Sequence, residues 1–101
     1  MNATLSPYNT LADVRNANRQ AGYHFFDADT LRFFRGRIIG QLVAGRYFIT
    51  SEQFVAPYEA PAPRRYTIRY ANDDATIDTV GDFQQYATLA DARKALRSLT
   101  A

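Results

Sequence analysis

The chain contains no cysteine, which excludes a disulfide framework and a thiolate metal site. A small secreted domain lacking both is unusual, so a cytoplasmic setting is the expectation. There is one histidine, His24, so no second imidazole is present to share a metal ion with it. No segment approaches the ~20 apolar residues of a membrane-spanning helix, and residues 1–10 show no basic stretch followed by an apolar run. Neither membrane insertion nor export by a standard signal is expected.

The catalytic signatures are equally sparse. Gly40 and Gly45 have the spacing of a phosphate-binding loop, but the Lys-Ser/Thr that must follow is replaced by Arg46-Tyr47. No Gly-x-Ser-x-Gly is present, and Glu52 and Glu59 occupy or border a proline-rich loop with no evident base or nucleophile beside them. Asp27 and Asp29 form an Asp-x-Asp pair, but Asp27 stands where a helix N-cap is needed, and capping is the simpler reading. The expectation is a protein that is not an enzyme, uses no cofactor or metal, and acts by binding.

What is present is ample material for one core. The 101 residues are 47% hydrophobic, with seven Phe and seven Tyr, a composition far from that of disordered chains. Net charge is only +2, and all but one of the twelve basic residues are arginine. The distribution says more than the total. Residues 30–51 hold Arg32, Arg35, Arg37 and Arg46 and no acid, whereas residues 72–82 hold Asp73, Asp74, Asp78 and Asp82 and no base.

Thr10-Leu11-Ala12-Asp13 reads as a capped helix start, with Asp13 suited to the positive end of the dipole. The helix runs to about Ala21 and is stopped by Gly22. Its narrow apolar stripe of Leu11, Val14, Ala17 and Ala21 places it on the surface of the domain. A short helix over residues 28–35 follows, with Asp27 as N-cap and Gly36 as C-cap residue. Arg37 to Val43 and Arg46 to Thr50 form a hairpin turned at Ala44-Gly45.

Residues 52–63, with three of the four prolines, are expected to be a loop, and the first nine residues to be flexible. From Arg64 to Tyr70 the alternation sets Tyr66, Ile68 and Tyr70 on one face and Arg65, Thr67 and Arg69 on the other. A turn at Asp73-Asp74 then returns a strand over residues 76–80, with Asp78 opposite Arg69 as an external ion pair and Ile77 opposite Tyr70. Phe83 and Tyr86 are expected to face inward. Thr88-Leu89-Ala90-Asp91 repeats the earlier start signal and opens a last helix to about Leu99. The expected class is α+β: a single domain with an antiparallel sheet of about four strands, and the N- and C-terminal helices packed on one face.

Arginine interleaved with aromatics recurs in Arg32-Phe33-Phe34-Arg35-Gly36-Arg37, Arg46-Tyr47-Phe48, Arg64-Arg65-Tyr66 and Arg69-Tyr70. The bland reading is that the rings fill the core and the arginines solvate a sheet face. The functional reading has Arg32, Arg35, Arg37, Arg46, Arg65 and Arg69 meeting phosphates of DNA or RNA while exposed rings stack on bases. A protein interface uses the same residue types. There, the acidic hairpin of Asp73, Asp74 and Asp78 offers an imitation of nucleic acid.

The stretch from Phe26 through Arg37, with its Thr30-x-Arg32-Phe33-Phe34-x-x-Arg37 core, resembles a family of small proteins carried by bacteriophages and plasmids. The resemblance continues through Tyr47-Phe48-Ile49-Thr50-Ser51-Glu52 and Tyr66-Thr67-Ile68-Arg69, and extends over roughly residues 23–96. Members more often carry Ser where this chain has Gly36. What the resemblance implies is a non-enzymatic accessory protein of a mobile element. Its partner would be a host protein or nucleoprotein complex, as for inhibitors of CRISPR or restriction systems. Independently of the resemblance, an open sheet edge leaves monomer and homodimer as the two expected states.

Overall fold

The computed structural model describes residues 8–55 and 58–101. Along the chain come α1 (Leu11–Gln20), α2 (Ala28–Phe34), β1 (Arg37–Val43), β2 (Tyr47–Glu52), β3 (Arg65–Ala71), β4 (Ile77–Val80) and α3 (Leu89–Thr100). The four strands form one antiparallel sheet in the order β1-β2-β3-β4. This is the α+β class expected, with helices at both ends of the chain.

The helix starts follow from their caps. The Thr10 side chain accepts from the Asp13 amide at 3.2 Å, and the Asp13 carboxylate accepts from the Thr10 amide at the same distance. Each bond satisfies an amide that the first helical turn leaves without a partner. Thr88 repeats the first half of this arrangement with the Asp91 amide at 3.1 Å. Asp27 takes the extended N-cap backbone of α2, but its side chain makes no capping bond. Instead, the carboxylate is 2.8 Å from His24 Nδ1 and 3.8 Å from Arg19.

The β1–β2 turn has positive φ at both Ala44 (53°) and Gly45 (73°) and closes with an Arg46 amide to Val43 carbonyl bond of 3.2 Å. Val43 pairs with Tyr47, so the loop holds Ala44, Gly45 and Arg46, and Arg46, expected to open the second strand, lies in it. The two successive left-handed residues form its tight first turn. Earlier in β1 the register shifts between Ile39 and Val43, where Gly40 has φ 69°. The two glycines that imitated a phosphate-binding loop thus serve a bulge and a turn.

Two expectations are corrected here. The β3–β4 register is one residue away from the expected pairing: Arg69 pairs with Thr79, Tyr70 with Asp78 and Ala71 with Ile77. The cause is a three-residue loop, Asp73, Asp74 and Ala75. The Ala75 amide donates to Asn72 carbonyl (3.0 Å), Ala75 turns left-handed at φ 71°, and Asn72 pairs with Thr76 (2.9 Å). A loop of three in place of two moves every later residue to the other face, so Asp78 does not meet Arg69. Secondly, the terminal helices do not share a face. Val14 of α1 packs with Phe26, Phe48 and Ala71, whereas Ala92 and Leu96 of α3 pack with Ile49 and Ile68. Phe48 and Ile49 are neighbours in β2 and therefore point to opposite faces, so the sheet is covered on both sides.

Asn18 was not distinguished from the exposed side of α1 by the apolar stripe, yet it is buried and its Nδ2 donates to Ala75 carbonyl at 2.9 Å. That bond fixes α1 to the β3–β4 turn. Residues 1–7, part of the segment expected to be flexible, lie outside the described residues. Tyr8 is held by its amide on Gly45 carbonyl (3.0 Å) and its hydroxyl on Asn72 carbonyl (2.8 Å). β2 extends to Glu52, so the loop expected from residue 52 begins one residue later; within it, residues 56 and 57 lie outside the described residues. Among the described residues no helix is long and apolar enough to cross a membrane.

Candidate functional site

The sheet face that carries Phe48 changes character along its strands. Towards the hairpin turns it is apolar and covered by α1. Towards α2 the inward positions are Thr50 and Glu52 of β2, Thr67 and Arg69 of β3, and Thr79 of β4. Arg69 and its neighbours were expected to face solvent; instead the Arg69 and Glu52 side chains are 12% and 5% exposed and pair at 3.2 Å. The Glu52 carboxylate also accepts from Thr50 (2.5 Å) and Thr67 (2.7 Å). Arg69 Nε donates to Thr50 Oγ1 (3.0 Å) and Nη1 to Thr79 Oγ1 (2.6 Å). Its guanidinium lies 5.3 Å from the Phe25 ring centre and 5.4 Å from that of Phe83. This network floors a cavity of about 400 Å³ with walls of Phe25, Leu31, Phe34 and Phe83. Phe83, expected to face inward, is 47% exposed because it stands in that wall.

Over the cavity lies α2, whose end sets the second part of the site. The Gly36 amide donates to Leu31 carbonyl and the Arg35 amide to Arg32 carbonyl (3.1 Å), with Arg35 left-handed at φ 49° and ψ 41°. This is the Schellman ending, and the left-handed position falls on Arg35 rather than on the expected Gly36. Gly36 serves a different need: a Cβ there would come within 3.3 Å of Leu31 Cδ2. The tight exit sends the chain directly into β1 at Arg37, which keeps Arg32, Arg35 and Arg37 close together. Arg64, from the segment before β3, joins them by donating from Nη1 to Arg35 carbonyl (2.8 Å) and Ser51 Oγ (2.9 Å).

Arg32, Arg35, Arg37 and Arg64 line a groove of about 470 Å³ with Leu31, Gly36 and Gln53. Arg32 pairs with Asp29 at 3.0 Å. Among the described residues no carboxylate pairs with Arg35, Arg37 or Arg64. Beside the groove, Phe33 is 82% and Phe54 65% exposed, and the rings of Phe33, Phe34 and Phe83 follow one another edge to face, with centroids 4.9 and 6.0 Å apart.

The remaining candidates of the sequence fall elsewhere and are used internally. Arg46 donates to Ala71 carbonyl (3.0 Å), pairs with Asp73 and lies over the Tyr8 ring. Arg65 donates to the carbonyls of Gln84 (2.8 Å) and Gln85 (3.0 Å), which ties the segment after β4 to the sheet. Asp74 accepts from the hydroxyl and amide of Thr76, hydroxyl first, and these bonds hold its carboxyl below its ordinary 3.8. Asp78 is exposed, opposite Tyr70. The six arginines therefore do not form one surface, and two of the three aspartates are engaged, Asp74 within its own hairpin and Asp73 with Arg46 of the β1–β2 turn.

The prolines beyond Glu52 suggest a loop and hide its place at the end of β2. The signal that finds it is the period of β2: Phe48, Thr50 and Glu52 are alternate residues, as are Thr67 and Arg69 across the ladder. No curated protein and no solved structure matches the chain. A family model described as a family of unknown function (DUF7447) matches residues 10–97, and the chain belongs to that family.

Proposed function

We propose that the chain is a small nucleic-acid-binding module with no chemistry of its own. It holds backbone phosphates of a single strand with Arg32, Arg35, Arg37 and Arg64 and stacks bases on the neighbouring phenylalanines. The observation that carries this reading is the convergence of four arginines from three chain segments on one groove where, among the described residues, Asp29 is the only carboxylate paired with any of them. Arginine meets phosphate oxygens with a planar fork of donors. Exposed rings beside a cationic groove are the equipment for unpaired bases, whose faces are available for stacking. The acidic hairpin is the weaker candidate, since Asp73 is neutralised by Arg46 and Asp74 caps its own turn.

The test is the affinity of a labelled single strand of about 12 nucleotides, within the site sizes of small single-strand binders, followed by fluorescence anisotropy across a salt series. Three to four phosphate contacts give a slope of log K against log salt of roughly −2 to −3. Affinity then falls on the order of tenfold or more between roughly 50 and 200 mM salt. Unchanged affinity over that range overturns the reading.

One observation favours a second reading, a host-protein partner of a mobile-element accessory protein. Phe33 and Phe54 project beside arginines in a combination common at protein hot spots. Recovery of a stoichiometric protein partner from host lysate after nuclease treatment moves the function there.

A further inference from the structure

We infer that the cavity beneath α2 is a pocket for one unstacked nucleobase of the strand whose phosphates occupy the arginine groove. This inference rests on the nucleic-acid reading and names what that site would take in. Three observations carry it.

The first is the floor. A buried charge pair is a poor device for stability, because desolvation offsets most of the attraction and an apolar replacement of similar volume serves as well. Here the pair sits in a sheet whose other face and far end are built from apolar side chains. Arg69 uses one N–H from each of Nε, Nη1 and Nη2 on Thr50, Thr79 and Glu52. A guanidinium carries five, so a second N–H on each of Nη1 and Nη2 remains for carbonyl or ring-nitrogen acceptors such as a base edge presents.

The second is the walls. Phe25, Phe34 and Phe83 surround about 400 Å³, within the size range of small-molecule pockets, and rings facing a cavity suit a flat heteroaromatic occupant. The third is position. Leu31 and Gly36 line both the cavity and the groove, so a nucleotide held by its phosphate on one side of α2 has its base beside the mouth of the other. A side chain at Gly36 would crowd that shared wall.

The experiment compares two single-stranded oligomers of equal charge and about 12 nucleotides, one with mixed bases and one with abasic residues throughout. The wild-type chain is expected to bind the base-bearing strand on the order of tenfold or more tightly, the size of effect one stacked base supplies. Phe83→Ala and Phe34→Ala remove half-exposed rings, and Phe83→Leu keeps most of the apolar bulk without the ring. Each is expected to close most of that gap while leaving the affinity for the abasic strand unchanged and the circular dichroism native. Leu99→Ala, a half-exposed side chain of α3 on the opposite face of the sheet, is expected to leave the gap open.

Equal wild-type affinity for the two strands overturns the pocket and leaves the arginine groove standing. A gap that survives all three pocket variants overturns it as well. Failure of both strands to bind overturns the pocket together with the nucleic-acid reading.

Discussion

Arg46 at one end of the sheet and the groove arginines at the other are used in opposite ways. At the hairpin end, Arg46 is absorbed into the fold by Ala71 carbonyl, Asp73 and the Tyr8 ring. At the α2 end, Arg32, Arg35, Arg37 and Arg64 border a groove. Arg32 pairs with Asp29 and Arg64 is anchored on Arg35 carbonyl and Ser51, while among the described residues no carboxylate pairs with Arg35, Arg37 or Arg64. An arginine whose donors are taken up by its own chain contributes to rigidity; one held at the surface without a partner has its donors available to a ligand. The same contrast runs through the acids. Asp73 and Asp74 complete a turn, while Glu52 is buried against Arg69 under an open cavity. The hairpin end thus resembles a finished structural joint and the α2 end a site awaiting a ligand.

The largest expected effect tests the centre of that comparison. Arg69→Ala leaves the Glu52 carboxylate buried without its cation and is expected to cost about 3–5 kcal/mol in denaturant unfolding. The paired replacement Arg69→Met with Glu52→Leu removes both charges and is expected to regain most of the loss. If the double variant is no more stable than the single one, the pair is there for folding and not for a ligand.

Next in size is Arg46→Ala, which removes charge-assisted bonds at the hairpin end and is expected to cost about 1.5–3 kcal/mol while leaving oligonucleotide affinity close to wild type. A large loss of affinity with little change in the thermal midpoint would place Arg46 in the binding surface and erase the distinction between the ends.

The smallest effect concerns Asp74. Because Thr76 holds its carboxyl below 3.8, the folded state binds its proton less readily than the unfolded chain. Its stabilising contribution is therefore present above that ordinary value and lost as pH falls through the folded one. The difference in midpoint between wild type and Asp74→Ala is expected to be present at neutral pH and to narrow below pH 3.8. A difference that stays constant on acidification contradicts the role of the ionised carboxylate.

Those residues also mark what was legible in the chain. Helix starts, the β1–β2 turn and the strand positions rest on local chemistry, the reach of a Thr side chain or the conformational freedom of Gly45, and they read directly. The β3–β4 register did not, because Asp73-Asp74 permits a loop of two or of three, and only the left-handed Ala75 decides between them. The face of each helix was equally out of reach, since Phe48 and Ile49 are both apolar and β2 reads as a strand buried on both sides.

Within the candidate site, Arg32, Arg35 and Arg37 were visible as a cluster because α2 and the start of β1 are contiguous. Arg64 was visible only as part of an arginine pair, and its convergence on them depends on the loop that returns it to Arg35 carbonyl. The Glu52–Arg69 pair is a long-range contact across β2 and β3. No spacing along the chain announces it.

Arg35 offers the most direct test that the α2 end is kept for binding. A side chain at φ 49° is strained where glycine is not, by about 0.5–1 kcal/mol once the greater entropy of an unfolded glycine is included. Arg35→Gly, with thermal midpoint and oligonucleotide affinity measured on the same sample, is expected to melt at an unchanged or slightly higher temperature. Its binding is expected to be weaker, with the salt slope reduced by roughly 0.7 for one lost phosphate contact. A variant that melts lower and binds as tightly as wild type contradicts the assignment and returns Arg35 to the fold.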